Sequence, residues 1–201
     1  MQGYQNKIIY AKECFELKDY KTAFEIFDFL GLDYEKGLCA LILGDDKLAK
    51  SIWQKAKNPC IGTSWGLCLV DLINLKYSKL PSYFQIRAFL EVYLNLLIEN
   101  KHITWAENLI SAWDILERVN YETCKFIARA LYFHQYYDLT IDFVEKSKHV
   151  CPHDPEALFI EAQAYEKIGK PKYSIKSLED LLEIVPDYLP ALEMIKKLKK
   201  S

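Results

Sequence analysis

Between Lys148 and Leu158 the chain reads KHVCPHDPEAL, which sets His149, Cys151, His153 and Asp154 within six residues. Imidazole, thiolate and carboxylate are the ligand types of transition metals, and several of them converging on one ion could activate a water for hydrolysis. Such a site needs three or four donors disposed tetrahedrally, and Pro152 stiffens the backbone in the middle of the run. Few other patterns compete for a chemical role. The sequence has no glycine-rich phosphate loop, no G-x-S-x-G elbow and no H-E-x-x-H pair. Asp45 and Asp46 follow Gly44 and read as a turn and helix N-cap before they read as a carboxylate pair. Whether the histidine-rich run is a reaction centre or a junction therefore depends on the elements around it.

Composition narrows those elements. Of 201 residues, 51% are hydrophobic and 27% charged, the balance of a folded chain forming one large domain or two small ones. A formal net charge of −2 gives no global attraction to nucleic acid or anionic membrane. The local basic cluster Lys196, Lys197, Lys199 and Lys200 has no interleaved aromatic residue and reads as a solvated helix face. The N-terminus shows no signal-peptide pattern, and no apolar run reaches the ~18 residues of a membrane helix. A cytoplasmic location is expected, with no nucleic acid and no membrane among the partners. Cys14, Cys39, Cys60, Cys68, Cys124 and Cys151 include no C-x-x-C pair, and they are expected as reduced, largely core residues.

Seven glycines and seven prolines fall between helix-length segments of apolar periodicity, and no segment sustains two-residue alternation. An all-α chain of short helices follows. Tyr121–Asp154 and Pro155–Tyr188 align at an offset of 34 residues. Cys124 then meets Leu158, Ile127 meets Glu161, Ala128 meets Ala162, Leu131 meets Tyr165, Thr140 meets Ser174, Val144 meets Leu178 and Pro152 meets Pro186. One further step back, over Arg87–Asn120, the equivalent places hold Leu90, Tyr93, Leu97, Ala106 and Ile110.

With this register the chain resembles the tetratricopeptide repeat family, whose 34-residue helix–turn–helix unit packs helix A on helix B at small residues and ends on a proline. The resemblance implies a right-handed superhelical solenoid of antiparallel helix pairs spanning 1–201. It divides into degenerate N-terminal repeats over 4–57, an irregular linking segment over 58–86, three 34-residue repeats over 87–188 and a capping helix over 189–201. Within 4–57, Ala11, Cys14, Ala23, Phe27, Gly37, Ala40, Ala49 and Trp53 repeat the theme at a shorter spacing. In the linking segment, Thr63 or Ser64 is expected to cap a helix running to Leu75. Leu94, Trp113, Arg118 and Glu161 depart from the family pattern.

The repeat register answers the opening question. Pro152 takes the junction slot, His149 falls in the last turn of a B helix, Pro155 opens the next A helix and Asp154 is its N-cap. His102 and His134 fall at A–B turns, where solvated side chains are expected. No metal, cofactor or enzymatic activity is expected.

The resemblance further implies which A-helix residues line a concave groove: Glu91 and Asn95, then Lys125, Arg129, Tyr132 and Phe133, then Phe159, Gln163 and Glu166. Lys125 and Arg129 supply cations one turn apart, and Arg129, Phe133 and Phe159 are expected to share one groove. Phe126 and Ile160 stand where a carboxylate clamp would need polar groups, so a chaperone-tail clamp is disfavoured. The implied function is a non-enzymatic scaffold binding a protein or peptide segment. A repeat-type chaperone for a secreted or assembling client is the alternative, and a metal-dependent enzyme at the histidine-rich run is a third. The sequence leaves the partner and the oligomeric state open.

Overall fold

The structure, a computed structural model, describes residues 2–77 and 79–200; Met1 and Ser201 at the ends of the expected solenoid, and Ser78 in its linking segment, lie outside the described residues. Every regular element among the described residues is helical. The chain forms two compact units, one of Met1–Pro81 with Leu96–Ala112, the other of Ser82–Asn95 with Trp113–Ser201.

The first unit contains α1 (Gln2–Glu16), α2 (Tyr20–Leu30), α3 (Asp33–Ile42), α4 (Asp46–Gln54) and α5 (Ile61–Ile73). In the second, α6 (Tyr83–Ala88) runs through a π-helical turn, Phe89–Tyr93, into α7 (Leu94–Glu99), which crosses the unit boundary. Next come α8 (Ile103–Ser111), returning to the first unit, and α9 (Trp113–Glu117). The second unit continues with α10 (Thr123–Phe133), α11 (Tyr137–Val150), α12 (Pro155–Lys167), α13 (Pro171–Ile184) and α14 (Leu189–Leu198).

One kind of helix end recurs. After α1, α2, α3, α5, α7, α10 and α12 the chain turns on a left-handed residue: Lys18, Gly31, Gly44, Leu75, Lys101, Gln135 and Gly169. In each case the following N–H reaches back to a helix carbonyl, as in Asp19 to Cys14, Lys76 to Asp71 and Lys170 to Tyr165, at 2.8–2.9 Å. This is a Schellman C-cap, which satisfies carbonyls the helix end would leave unpaired. Gly31, Gly44 and Gly169 carry it without a Cβ; the others meet a cost of roughly 1 kcal/mol, which the recovered hydrogen bonds offset. By this terminus α5 ends as α1, α3, α10 and α12 do, yet the described residues that follow, 76–77 and 79–82, belong to no helix.

The paired helices cross at small residues. Ala11 and Ala23, Ala40 and Ala49, Ala128 and Thr140, and Ala162 and Ser174 are all buried. At the last pair Ser174 Oγ donates to the Ala162 carbonyl at 2.7 Å, so the α12 and α13 backbones nearly touch. The 34-residue period holds in the second unit, where α11 and α13 start at 137 and 171, and α12 and α14 at 155 and 189.

Upstream the structure departs from the expected register. The helix expected from Arg87 starts at Tyr83, behind a Ser82–Gln85 capping box. Its π turn joins the Leu94 N–H to the Phe89 carbonyl and carries an extra residue. That shift accounts for a fully buried Leu94 at a place the family pattern fills with a small residue. α8 packs against α5, with Asn108 Nδ2 donating to the Ile73 carbonyl at 2.8 Å. α5 itself begins at Ile61, two residues before the expected cap. Cys60 is its N-cap, and Thr63 sits inside the first turn with its hydroxyl donating to the Cys60 carbonyl. His102 is not the solvated turn residue expected: Nε2 contacts the Ile42 carbonyl at 2.6 Å and the ring lies 4.7 Å from Trp105. Cys14, Cys39 and Cys124 are buried as expected, but Cys60 is exposed.

Trp53 sets the first unit's tightest contact. The indole lies between Gly37 of α3 and Gly66 of α5, and Nε1 donates to the Tyr34 carbonyl at 3.2 Å. A Cβ on Gly37 would fall 2.2 Å from Trp53 Nε1. Gly37→Ala is therefore expected to destabilise the first unit by roughly 1–3 kcal/mol in denaturant unfolding. Gly3→Ala, with open space around the new methyl, is expected to be neutral or slightly stabilising.

Candidate functional site

The histidine-rich run is a helix junction. α11 ends at Val150, Cys151 is its C-cap, and Pro155 is the first residue of α12. Asp154 Oδ1 accepts from the N–H groups of Glu156 at 2.9 Å and Ala157 at 3.2 Å. His149 and His153 are exposed, Cys151 is half-buried, and no three His, Cys, Asp or Glu side chains among the described residues group around a common metal position.

The second carboxylate oxygen of Asp154 has a different use. Oδ2 accepts from Lys125 Nζ at 2.7 Å, and the same ammonium donates to Glu122 Oε1 at 2.7 Å and lies 3.6 Å from Glu156. Lys125 is buried, 6% exposed, so the cation expected to line the groove is instead enclosed among carboxylates of its own chain. Burial alone would lower its pKa, but the bonds to Asp154 and Glu122 outweigh it and hold the pKa above the ordinary lysine value. Glu122 is correspondingly held below the usual carboxylate range by Lys125 and by the Tyr83 hydroxyl, which donates to it at 2.7 Å.

Arg129, the next cation along α10, is also engaged. Its guanidinium spans Glu91 of the π turn and Glu156 of α12. It also lies over the Phe126 ring at 5.5 Å, while Arg87 lies at 5.8 Å from the same ring. A guanidinium so occupied is not set to read a partner's free carboxylate.

Between the 83–99 helix and α10 lies a cleft of about 170 Å³, lined by Leu90, Glu91, Asn95, Phe126, Arg129, Ala130 and Phe133. Four expected groove residues, Glu91, Asn95, Arg129 and Phe133, thus come together. Phe133 projects with 68% of its surface exposed, its ring edge-on to His134. His134 bonds Asn95 Oδ1 at 2.9 Å rather than pointing into solvent as expected. Asn95 Nδ2 donates to the Glu91 carbonyl inside the π turn, which fixes the polar end of the cleft.

The other expected positions fall elsewhere. Phe159 packs edge-on to Tyr188 at 5.4 Å, within the cluster of Leu158, Ala162, Leu178, Leu181 and Ala191 that seats α14. It serves the last repeat's core and does not join Phe133. Tyr132 is half-buried against Tyr137, with the Glu166 charge acting on it; Glu166 accepts from Lys197 at 2.8 Å, and Gln163 is half-buried. Sequence reasoning misses Leu90 and Phe126 as cleft residues, and the repeat register places Leu90 among its packing positions. At the sequence level Phe126 argues only against a carboxylate clamp.

No protein-family profile and no curated protein matches the chain. Among solved structures it is similar to the C-terminal part of a TPR repeat-containing protein from Cytophaga hutchinsonii, with 17% identity over 94% of this chain and 69% of that one, TM-score 0.47. It is similar to YrrB, described as a TPR protein with an unusual peptide-binding site, with 12% identity over 94% of this chain and 90% of that one, TM-score 0.47. A thermophilic TPR protein of Thermus thermophilus aligns with 16% identity over 98% of this chain and 100% of that one, TM-score 0.42. Independently of those likenesses, the period, the crossing residues and the turns described above make this an all-α helical-repeat, TPR-like fold.

Two outcomes are expected. Changing His149 and His153 together to Ala should leave melting temperature and metal content unchanged, measured by circular dichroism and elemental analysis of protein purified without chelator. Lys125→Met should cost roughly 2 kcal/mol, below the full cost of breaking a buried pair because Asp154 and Glu122 keep some solvent contact. The depressed Glu122 carboxyl stabilises the fold above its unfolded value and loses that contribution as pH falls through its folded value. The Lys125→Met penalty should therefore shrink in melts taken on the acid side of about pH 4.5.

Proposed function

We propose that this protein is an interaction module that seats an apolar side chain of a protein or peptide segment in the cleft beside Phe133. The observation that carries the reading is an aromatic ring 68% exposed on a helix, beside a cleft floored by Leu90, Phe126 and Ala130. An exposed ring over an apolar floor gains most from a partner that removes both from water, and such aromatic positions dominate binding energies at interfaces. The polar side chains lining the cleft are already engaged, in the Arg129–Glu91 pair and the Asn95–His134 bond. A charged partner group would have to displace one of these contacts. The occupant favoured is therefore an uncharged aliphatic or aromatic anchor, not a terminal carboxylate. The expected scaffold role is kept in this reading, while the orienting role expected of Lys125 and Arg129 passes to shape and apolar contact.

Peptides selected from a random library on the purified protein provide the test. They should share an apolar anchor and lose roughly thirtyfold in affinity against Phe133→Ala, the loss of about 2 kcal/mol typical of a hot spot. Phe29→Ala, an equally exposed phenylalanine in the other unit, should leave binding unchanged, and circular dichroism should show both variants folded. Selected peptides that bind Phe133→Ala as tightly as wild type would remove the cleft from consideration.

A further inference from the structure

Glu161 stands at a position the repeat pattern fills with an apolar residue, and it is 3% exposed. Its Oε2 accepts from Ser177 Oγ of α13 at 2.8 Å, and its Oε1 accepts from Lys148 Nζ of α11 at 2.9 Å. Lys148 also donates to Glu145 Oε1 at 3.0 Å, so two carboxyl groups share one ammonium. The Glu145 and Glu161 carboxyl groups are thus drawn together at one Nζ, from 3.0 and 2.9 Å. Two ionised carboxylates have only acceptors and repel, so a proton held between them relieves the crowding.

The charges around the pair are few. From α11 come Glu145, Lys148 and the nearby His149; from α12, Glu161 and the Tyr165 hydroxyl; from α13, Ser177 and Tyr173, whose ring lies 5.3 Å from Tyr165. With both carboxyls ionised, the single Lys148 ammonium leaves an excess negative charge against a buried group. His149 lies near Glu145 on the exposed side.

We propose that Glu145 and Glu161 share one proton over Lys148, so that the packing of α11 and of α13 against α12 tightens when that proton is taken from solvent and loosens when it is lost. Glu161 holds the proton in preference to Glu145, because it is the buried member while Glu145 is about half exposed. Burial is the main cause that raises Glu161, opposed by Lys148 and Ser177. For a carboxyl raised on folding, the stabilising contribution is complete below its unfolded value and is lost as pH rises through its folded value.

The test compares thermal melts of the full chain and of Glu161→Gln, a neutral isostere of the protonated form, from pH 4 to pH 8. At the acid end the two should melt together. As pH rises the variant should become the more stable, by roughly 3–5 °C for each pH unit separating the folded and unfolded titration midpoints. A difference that does not change with pH, or a variant less stable at neutral pH, overturns the proposal. Carbon-13 NMR of glutamate side-chain carboxyls in the wild-type protein gives a second readout that needs no variant. One resonance should titrate well above the ordinary glutamate value of about 4.3 and disappear in Glu161→Gln or, should that variant not fold, shift in Glu145→Gln. Titration of every glutamate at or below the ordinary value overturns it equally.

Discussion

Two helices can lie side by side at backbone distance only where their facing residues are small, and this protein's helix pairs rest on that steric condition. Ala162 and Ser174 give its closest form, because the serine hydroxyl bonds directly to the carbonyl of the opposite helix. A larger residue at either place would push α12 from α13 and separate Leu158 from Leu178, which belong to one buried cluster. The same condition appears in a different guise at Trp53. There a large ring is admitted because the helices facing it, α3 and α5, offer Gly37 and Gly66. Small and large residues are thus complementary solutions to one packing requirement.

Close pairing also demands a tight reversal of the chain. The left-handed residue after each A helix provides it and recovers carbonyl hydrogen bonds that the helix end would otherwise lose. Where no helix follows such a turn directly, after α5, the next partner comes from farther along the sequence. α8 fills that place, held by Asn108 on the Ile73 carbonyl.

The candidate site follows from how buried charge is neutralised. Pro152 and Pro155 fix the α11–α12 junction, Asp154 caps α12 with one oxygen and holds Lys125 with the other, and Glu156 beside it reaches Arg129. Arg129 then meets Glu91 in the π turn, across the cleft that Phe133 borders. A run of residues that looks suited to catalysis is in fact the anchor of an ion-pair chain leading to the cleft wall. Because these cations are neutralised internally, a partner of the kind proposed for the cleft would meet shape and apolar character rather than free charge.

What the sequence determined alone was the information carried by local rules. The 34-residue spacing located α10 to α14, because side-chain size at crossing positions is visible without coordinates. Pro155 and Asp154 announced the start of α12, since a missing N–H and a capping carboxylate act within one turn. The resemblance to the repeat family implied a common groove for Glu91, Asn95, Arg129 and Phe133, and these four line one cleft. Tertiary structure decided the rest. Left-handed turns at Lys18, Leu75, Lys101 and Gln135 carry no glycine signal, and the π turn at Phe89–Tyr93 changes helix phase without any proline or glycine to mark it. Whether Lys125 faces a partner or its own carboxylates depends on groups far along the chain, such as Asp154, 29 residues away. Phe159 joined Tyr188 instead of Phe133 for a related reason: α14 needed an apolar seat, and burial against it removes the ring from water. Side-chain periodicity states which face a residue occupies, but only the packed neighbours decide what that face meets.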